Sequence, residues 1–425
     1  MTDTIFALSS GAPPAAIGVI RISGPGASDA LAALAGRLPA PRRASYRALR
    51  DAAGDVLDHA LVLWLPGPGT STGEDMAELH CHGGRAIIAA IEKALAAMPK
   101  LRRATSGEFT RRAFAHGKID LAEAEGLADL LSAETELQRR SAMAVAGGAL
   151  SRQVEDWRER LLLASAAVEA VLDFADEDDV AALPPDFTQQ LAGLSREIAG
   201  WLARPRAEVL KEGFRVVLAG PPNAGKSTLF NALVESEAAI TAPIAGTTRD
   251  VLTKPVAIEG APFLFADTAG LRDEAGDAVE AIGVERARGE LLRADLILWL
   301  GDEGQGPDGA WEVEAQADRA GHSAKRRPRH RLSAVTGEGM DALRSDLVRA
   351  ARAALPRPGE AALNARQHRL LGEAEEALAA AVRSSDPLLL AENLRLARVA
   401  FDALLGRATT EDMLDTLFGR FCIGK

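Results

Sequence analysis

The sequence predicts an α+β multidomain protein: an amino-terminal α+β domain, an α-helical domain, and a doubly wound α/β domain set inside the helical one. Three observations carry this expectation. The chain has 425 residues, more than one hydrophobic core usually supports. Its apolar period switches between strand-like and helical along its length. A glycine-rich phosphate-loop pattern follows one apolar run directly. The expected segments are 1–118 for the amino-terminal domain, 119–212 and 355–425 for the two parts of the helical domain, and 213–354 for the α/β domain.

From Ile5 to about Leu65 the short runs "AIGVIRIS" and "ALVLWLP" read as strands between Gly, Pro and Ala clusters, and "AIIAAIEKALAAM" reads as a helix. Beyond "KIDLAEAEGLADLL" the period lengthens. Val154, Trp157, Leu161, Ala164, Val168 and Val171 recur at helical spacing, as do Phe187, Leu191, Leu194, Ile198 and Leu202. "DFADEDD" and "LPP" break the two helices apart. At Phe214 the run "FRVVLAG" has the continuous apolar character of a strand buried on both faces of a parallel sheet, and "PFLFADTAG" and "ADLILWLGD" repeat it. After "LPRPGE" the helical period returns. There Asp386 and Pro387 supply a cap and a first-turn proline ahead of Leu390, Leu394, Ala397, Phe401 and Leu404 on one face.

Composition narrows the function classes. Hydrophobic residues make up 47% and charged residues 26%, as in a folded globular chain. No stretch reaches the eighteen or so apolar residues of a membrane span, and the amino terminus lacks a basic segment followed by an apolar one, so the expected location is the cytoplasm. The two cysteines, Cys81 and Cys422, read as reduced thiols of an intracellular protein rather than as a disulfide. "CIGK" imitates a prenylation box, but its Gly and Lys suit that signal poorly. A net charge of −11 argues against a protein whose main task is gripping nucleic acid. Lys325 to Arg331, "KRRPRHR", reads as a solvated loop or as a local phosphate contact.

"GPPNAGKS", Gly220 to Ser227, lies between a strand and the helical "TLFNAL". In that context glycines let backbone N–H groups face phosphates at a helix amino terminus. Asn223, Ala224, Gly225 and Thr228 line the same turn, Lys226 reaches the β and γ oxygens, and Ser227 offers a hydroxyl to Mg²⁺. "GTTRD" follows, with Thr247 and Thr248, of which Thr248 is a second Mg²⁺ ligand that senses the γ-phosphate. Then comes "DTAG", comprising Asp267, Thr268, Ala269 and Gly270, at the end of an apolar strand. Guanine is normally read by N-K-x-D. Here "AQAD" keeps Asp318 but has Ala315 and Gln316 in place of Asn and Lys, and "LSAVTGEG" puts Ser333 and Ala334 where a base-contacting loop sits. GTP is the expected nucleotide, with base selectivity open.

Ras-type enzymes place a water-orienting Gln after D-x-x-G, whereas this chain has Leu271. Glu280 is the candidate base, acting through a second water, against the plain reading of an exposed carboxylate. A monovalent cation held by Asn223 is the candidate for neutralising transition-state charge.

With "DTIFAL", "IGVIRISGP", "TGEDMAELHCHGG", "GEFTRRAFAHGKIDLAEAE" and the terminal "FCIGK" added, the whole chain resembles the MnmE (TrmE) family of tRNA-modification GTPases. The resemblance implies a folate-binding, dimerising amino-terminal domain and a helical domain split by a Ras-like P-loop α/β G domain. It implies folate contacts by Arg21, Glu78, Lys118 and Lys425, the folate being 5,10-methylene-tetrahydrofolate with 5-formyl-tetrahydrofolate as its analogue. It implies a K⁺ cage of Asn223, Ala242, Ile244 and Thr247, and a catalytic role for Glu280. Pro243 departs from an ordinary cation-binding loop because it fixes φ and removes a donor. The implied partners are a second copy, an FAD-dependent MnmG-like protein in a heterotetramer, and tRNA as substrate. The implied reaction places a carboxymethylaminomethyl or aminomethyl group on carbon-5 of the wobble uridine, with the amine donor and the choice of tRNAs open.

Cys422 is then expected to be a thiol that attacks carbon-6 of uridine or carries a reactive adduct, against the plain reading of a packed hydrophobic thiol. "HCHGG" looks metallophilic, but only His80 and His82 can share a strand face, and no further Cys completes a tetrahedral zinc site. The competing functional class is a ribosome-associated switch resembling Era or Der. The absence of a second G domain and of a basic G-x-x-G tail opposes it. A stand-alone folate enzyme regulated by its G domain is a weaker third reading.

Overall fold

The computed structural model describes residues 3–173, 183–235, 253–267, 289–319, 324–408 and 410–424. The chain divides into two compact units, Met1–Ala128 with Asp402–Lys425, and Asp129–Phe401.

In the first unit the elements are β1 (Thr4–Leu8), β2 (Ala15–Ser23), α1 (Ala27–Ala35), β3 (Ser45–Arg50), β4 (Val56–Leu65), β5 (Met76–Gly83), α2 (Arg85–Ala96), β6 (Leu101–Arg103), α3 (Glu108–Ala115) and α4 (Leu121–Leu131). They form a six-stranded sheet of order β3-β4-β5-β2-β1-β6, antiparallel except for the β1/β6 pair. The apolar alternation of the strands buries Phe6, Ile20, Ile22, Val62 and Leu79 against Leu31 of α1 and Ile91 of α2. Arg112, on α3, is fully buried. Its guanidinium donates to Glu74 at 3.0 Å, Asp3 at 3.0 Å and Glu108 at 3.3 Å, so three carboxylates compensate one desolvated cation.

The second unit contains α5 (Glu136–Ala146), α6 (Ala149–Asp173), α7 (Phe187–Leu202), α8 (Ala207–Glu212), β7 (Phe214–Ala219), α9 (Lys226–Glu235), β8 (Thr253–Ile258), β9 (Ala261–Asp267), β10 (Leu296–Trp299), β11 (Trp311–Glu314), β12 (His330–Arg331), α10 (Met340–Ala354), α11 (Ala365–Arg383) and α12 (Pro387–Leu405). Its sheet has the order β12-β11-β10-β7-β9-β8 and is parallel except at β8/β9. Val216, Leu218, Phe265, Leu298 and Val313 of the strands join Leu233 and Leu347 of the helices in one core. The expected long helices are present. Trp157 of α6 is fully buried, edge-on to Trp201 of α7 at 5.9 Å and stacked on Phe401 of α12 at 6.1 Å. The apolar stripe of α6 is incomplete, because Ala164 and Val171 are only half-buried. Asp386 Oδ1 accepts from Leu388 N at 2.8 Å, the cap expected ahead of Pro387.

The edge strands of both sheets are interrupted or charged. β3 carries Arg47 and Arg50, β6 is three residues with Arg102 and Arg103, β8 carries Lys254 and Pro255, and β12 is two residues with Arg331. Among the described residues no helix is long and apolar enough to cross a membrane.

Candidate functional site

The phosphate-loop segment joins β7 to α9. Gly220 has φ 149°, and a Cβ on it would come within 3.0 Å of Gly301 N, so the turn admits only glycine. Lys226 opens α9, is buried, and donates its ammonium to the carbonyls of Gly220 at 2.9 Å and Pro221 at 2.7 Å. The next residue, Ser227, donates its hydroxyl to Asp267 Oδ2 at 2.7 Å. Register explains the meeting: β7 and β9 are neighbours, Leu218 pairs with Asp267, and both strands end at the loop. Asp267 is 1% exposed, so its carboxylate is held away from bulk water with a hydroxyl partner. Asn223 stands in the left-handed region at φ 62°, Ala224 packs on the core, and Gly225 and Thr228 complete the turn into the helix.

The base-side segments lie at the same end of the sheet. "AQAD" follows the last residue of β11, where Gln316 has φ 63° and Asp318 is exposed. Ala317 N donates to Leu332 O at 3.0 Å, tying this turn to the one after β12. Ser333 is fully buried, and its hydroxyl accepts from Val335 N at 3.2 Å and Thr336 N at 3.1 Å, while Ala334 packs on the core. Ser333 therefore shapes its loop with its side chain. Ala242, Ile244, Thr247, Thr248, Thr268, Ala269, Gly270 and Glu280 lie outside the described residues, as does Lys425.

A second constellation occupies the first unit. Arg21 of β2 and Glu78 of β5 are register partners. Arg21 Nε and Nη2 donate to Glu78 Oε1 at 3.2 and 3.1 Å, and the guanidinium lies 5.8 Å from the Phe109 ring centre. His80 Nε2 lies 3.1 Å from the other Glu78 oxygen. Sequence reasoning missed this partner, although two-residue spacing on a strand puts both side chains on one face. His82 shares that face but pairs with Asp58 at 2.8 Å, so the two imidazoles serve different carboxylates. Lys118 is exposed just beyond α3.

The tail returns to this unit through α13 (Glu411–Phe418). Leu414, Phe418 and Phe421 pack with Leu121 and Ala124, and Arg111 pairs with Glu411 and Asp415. Ile423 then bridges Ser106, and Gly424, at φ 96°, has no room for a Cβ, which would lie 2.2 Å from Leu8 O. Leu8 pairs with Ile20, the neighbour of Arg21, so the tail reaches the strand pair that carries the candidate folate contacts. Cys422 is exposed between buried Phe421 and exposed Ile423. Cys81 is buried, its thiol donates to Gly18 O at 3.2 Å, and burial, aided by the Asp58 charge, pushes that thiol up to about 11. Both cysteines are free.

Two family models match the chain, "GTP-binding protein TrmE N-terminus" over residues 4–118 and "MnmE helical domain" over residues 121–422. The tRNA modification GTPase MnmE of Novosphingobium aromaticivorans is 66% identical over 437 aligned positions that cover 100% of both chains. The protein of that name from Erythrobacter litoralis is 65% identical over 423 positions, again covering 100% of each. The one from Zymomonas mobilis is 50% identical, over 99% of this chain and 100% of its own.

Proposed function

This chain belongs to the MnmE family of tRNA modification GTPases, and from that premise we propose that it couples GTP hydrolysis to modification of the wobble uridine in certain tRNAs. It is a GTP hydrolase acting in tRNA modification. The finer reading is that, with an FAD-dependent MnmG-like partner, it installs a carboxymethylaminomethyl or aminomethyl group at carbon-5.

The observation that carries the nucleotide reading is the Ser227 to Asp267 link at 2.7 Å, beside a buried Lys226 whose ammonium donates to two loop carbonyls. Those carbonyls hold the cation inside the turn, where the β and γ oxygens of GTP take over as its partners. Ser227 and Asp267 present hard oxygen donors, which fit Mg²⁺, and Thr248 supplies another ligand. Mg²⁺ held by them would neutralise phosphate charge. Asn223, Ala242, Ile244 and Thr247 would hold K⁺, which would neutralise transition-state charge, and Glu280 orients the attacking water in place of the missing Gln. Asn223, Ala224, Gly225, Thr228, Thr268, Ala269 and Gly270 line the phosphates, while Asp318 reads the base and Ser333 and Ala334 shape the loop beside it. Hydrolysis opens and closes paired G domains of a homodimer.

Arg21, Glu78, Lys118 and Lys425 bind the folate of the amino-terminal domain. The fit is chemical: a guanidinium suits glutamyl carboxylates and a carboxylate suits pterin N–H donors. The Arg21 and Glu78 charges compensate each other until those groups arrive. A methylene-tetrahydrofolate held there would supply the carbon. Cys422 attacks carbon-6 of the uridine or carries the reactive adduct, and its exposure supports that role over a packed hydrophobe.

The test is nucleoside mass spectrometry of tRNA from cells with and without this chain. Loss of the carbon-5 group on deletion is the expected result. Unchanged nucleosides with the chain expressed would replace this reading with a ribosome-associated switch of the Era or Der kind.

A further inference from the structure

We infer that Gln316 is a positioning residue for the phosphate loop, fastening Asn223 in its left-handed conformation by a hydrogen bond from the base-side turn; the inference rests on the nucleotide reading above. Gln316 Nε2 lies 3.2 Å from Asn223 O. A main-chain carbonyl only accepts, so the carboxamide must be the donor. The same side chain lies over the next part of the loop, where a Cβ on Gly225 would come 3.1 Å from Gln316 Nε2 and 3.2 Å from its Cγ.

The backbones at both ends of this bond are unusual. Asn223 at φ 62° and Gln316 at φ 63° are two of the five non-glycine residues with positive φ among the described residues. Asn tolerates that region, whereas Gln, with no short side chain to bond locally, is seldom found there. Gln316 is kept there by its own turn: Arg319 N donates to Gln316 O at 2.9 Å, and the following Ala317 is tied to Leu332. The turn thus spends conformational strain to aim a carboxamide across at the phosphate loop. In N-K-x-D this position is Lys, and here a neutral donor of similar reach stands in its place. With Asn223 O held, the backbone N–H groups that follow it stay oriented for anion binding before nucleotide arrives. Binding then carries a smaller ordering cost.

The test compares the full-length wild-type chain with Gln316→Met, of near-equal shape with neither donor nor charge, and Gln316→Lys, which keeps a donor. Titration with a fluorescent GDP analogue is expected to show Gln316→Met weakened roughly three- to tenfold, the size of one neutral hydrogen bond. Gln316→Lys is expected to remain within about twofold of wild type, and both variants should share the wild-type melting curve. Equal affinity of the Met variant overturns the inference, because the carboxamide then only fills space. Equal loss in the Met and Lys variants also overturns it, since donation is then not what matters. A wild-type chain that binds no guanine nucleotide overturns the nucleotide reading first, and this inference with it.

Discussion

The two sheets carry their candidate chemistry in different places. In the largely antiparallel sheet, Arg21 and Glu78 sit in mid-strand and meet because β2 and β5 are neighbours in register. In the largely parallel sheet, Lys226, Ser227, Asp267 and Gln316 lie at or beyond the carboxyl ends of strands, where loops converge. A parallel sheet covered on both faces leaves only its ends for ligands. An antiparallel sheet leaves a face, where charged side chains bind while their neighbours on the other side hold the core. The teaching is that one site depends on loop conformation and the other on strand register, so the two should fail independently.

Lys226→Ala should separate the two sites most sharply. GTP hydrolysis is expected to fall by about two to three orders of magnitude, as when a preorganised electrostatic group is lost, with alkylation of Cys422 unchanged. Phosphate release and thiol labelling on the same sample check both halves. Arg112→Met should do the converse, because it removes a fully buried cation from Asp3, Glu74 and Glu108. Asp3 and Glu108 keep Arg102, so the stranded carboxylate is Glu74. We expect a loss of about 3 kcal/mol from the amino-terminal unit in urea unfolding, the usual cost of stranding a buried ion-pair partner, with guanine-nucleotide binding retained.

Arg21→Ala is expected to weaken 5-formyl-tetrahydrofolate binding roughly tenfold to a hundredfold, the range for a charged hydrogen bond. Calorimetry measures this, and unchanged affinity would remove Arg21 from the site. Smaller again is the acid response. Burial pushes the Glu108 carboxyl up but is outweighed by its bonds from Arg102 and Thr105 and by the Arg112 charge, so its folded pKa lies below the ordinary value. Such a group stabilises the fold above its unfolded pKa, and that contribution is lost as pH falls through the lower folded one. Glu108→Gln should therefore flatten the acid limb of stability, followed by circular dichroism. The finest contrast lies within one unit: a thiol reagent at pH 8 should modify one cysteine of the native chain and two after unfolding, since Cys81 is buried with a raised pKa.

Legibility followed the same division. The phosphate loop and the "DTAG" strand end are short contiguous words whose chemistry is local, so the sequence showed them without a fold. The Arg21 and Glu78 pair joins residues 57 apart, and only the family resemblance proposed it; register, a long-range property, made the contact. His80 has a metallophilic neighbourhood in the sequence but partners a carboxylate, because Glu78, two residues back on the same strand, shares its face. In the sequence Gln316 is only a departure from the Lys of N-K-x-D. Its bond to a loop 93 residues away depends on a left-handed backbone that no local pattern announces. The helix start at Asp386 and Pro387 was legible because caps are local, whereas the fading of burial at Ala164 and Val171 depends on where packed neighbours stop.

The treatment of the four sheet edges bears on how this acidic chain behaves when crowded. Exposed N–H and C=O rows invite another chain to add a strand, and such additions, once begun, propagate into precipitates. Arginines along β3 and β6, a proline in β8 and the two-residue length of β12 each interrupt that row. Concentrated stocks should therefore tolerate storage in the native state, and turbidity on heating should track unfolding instead of preceding it.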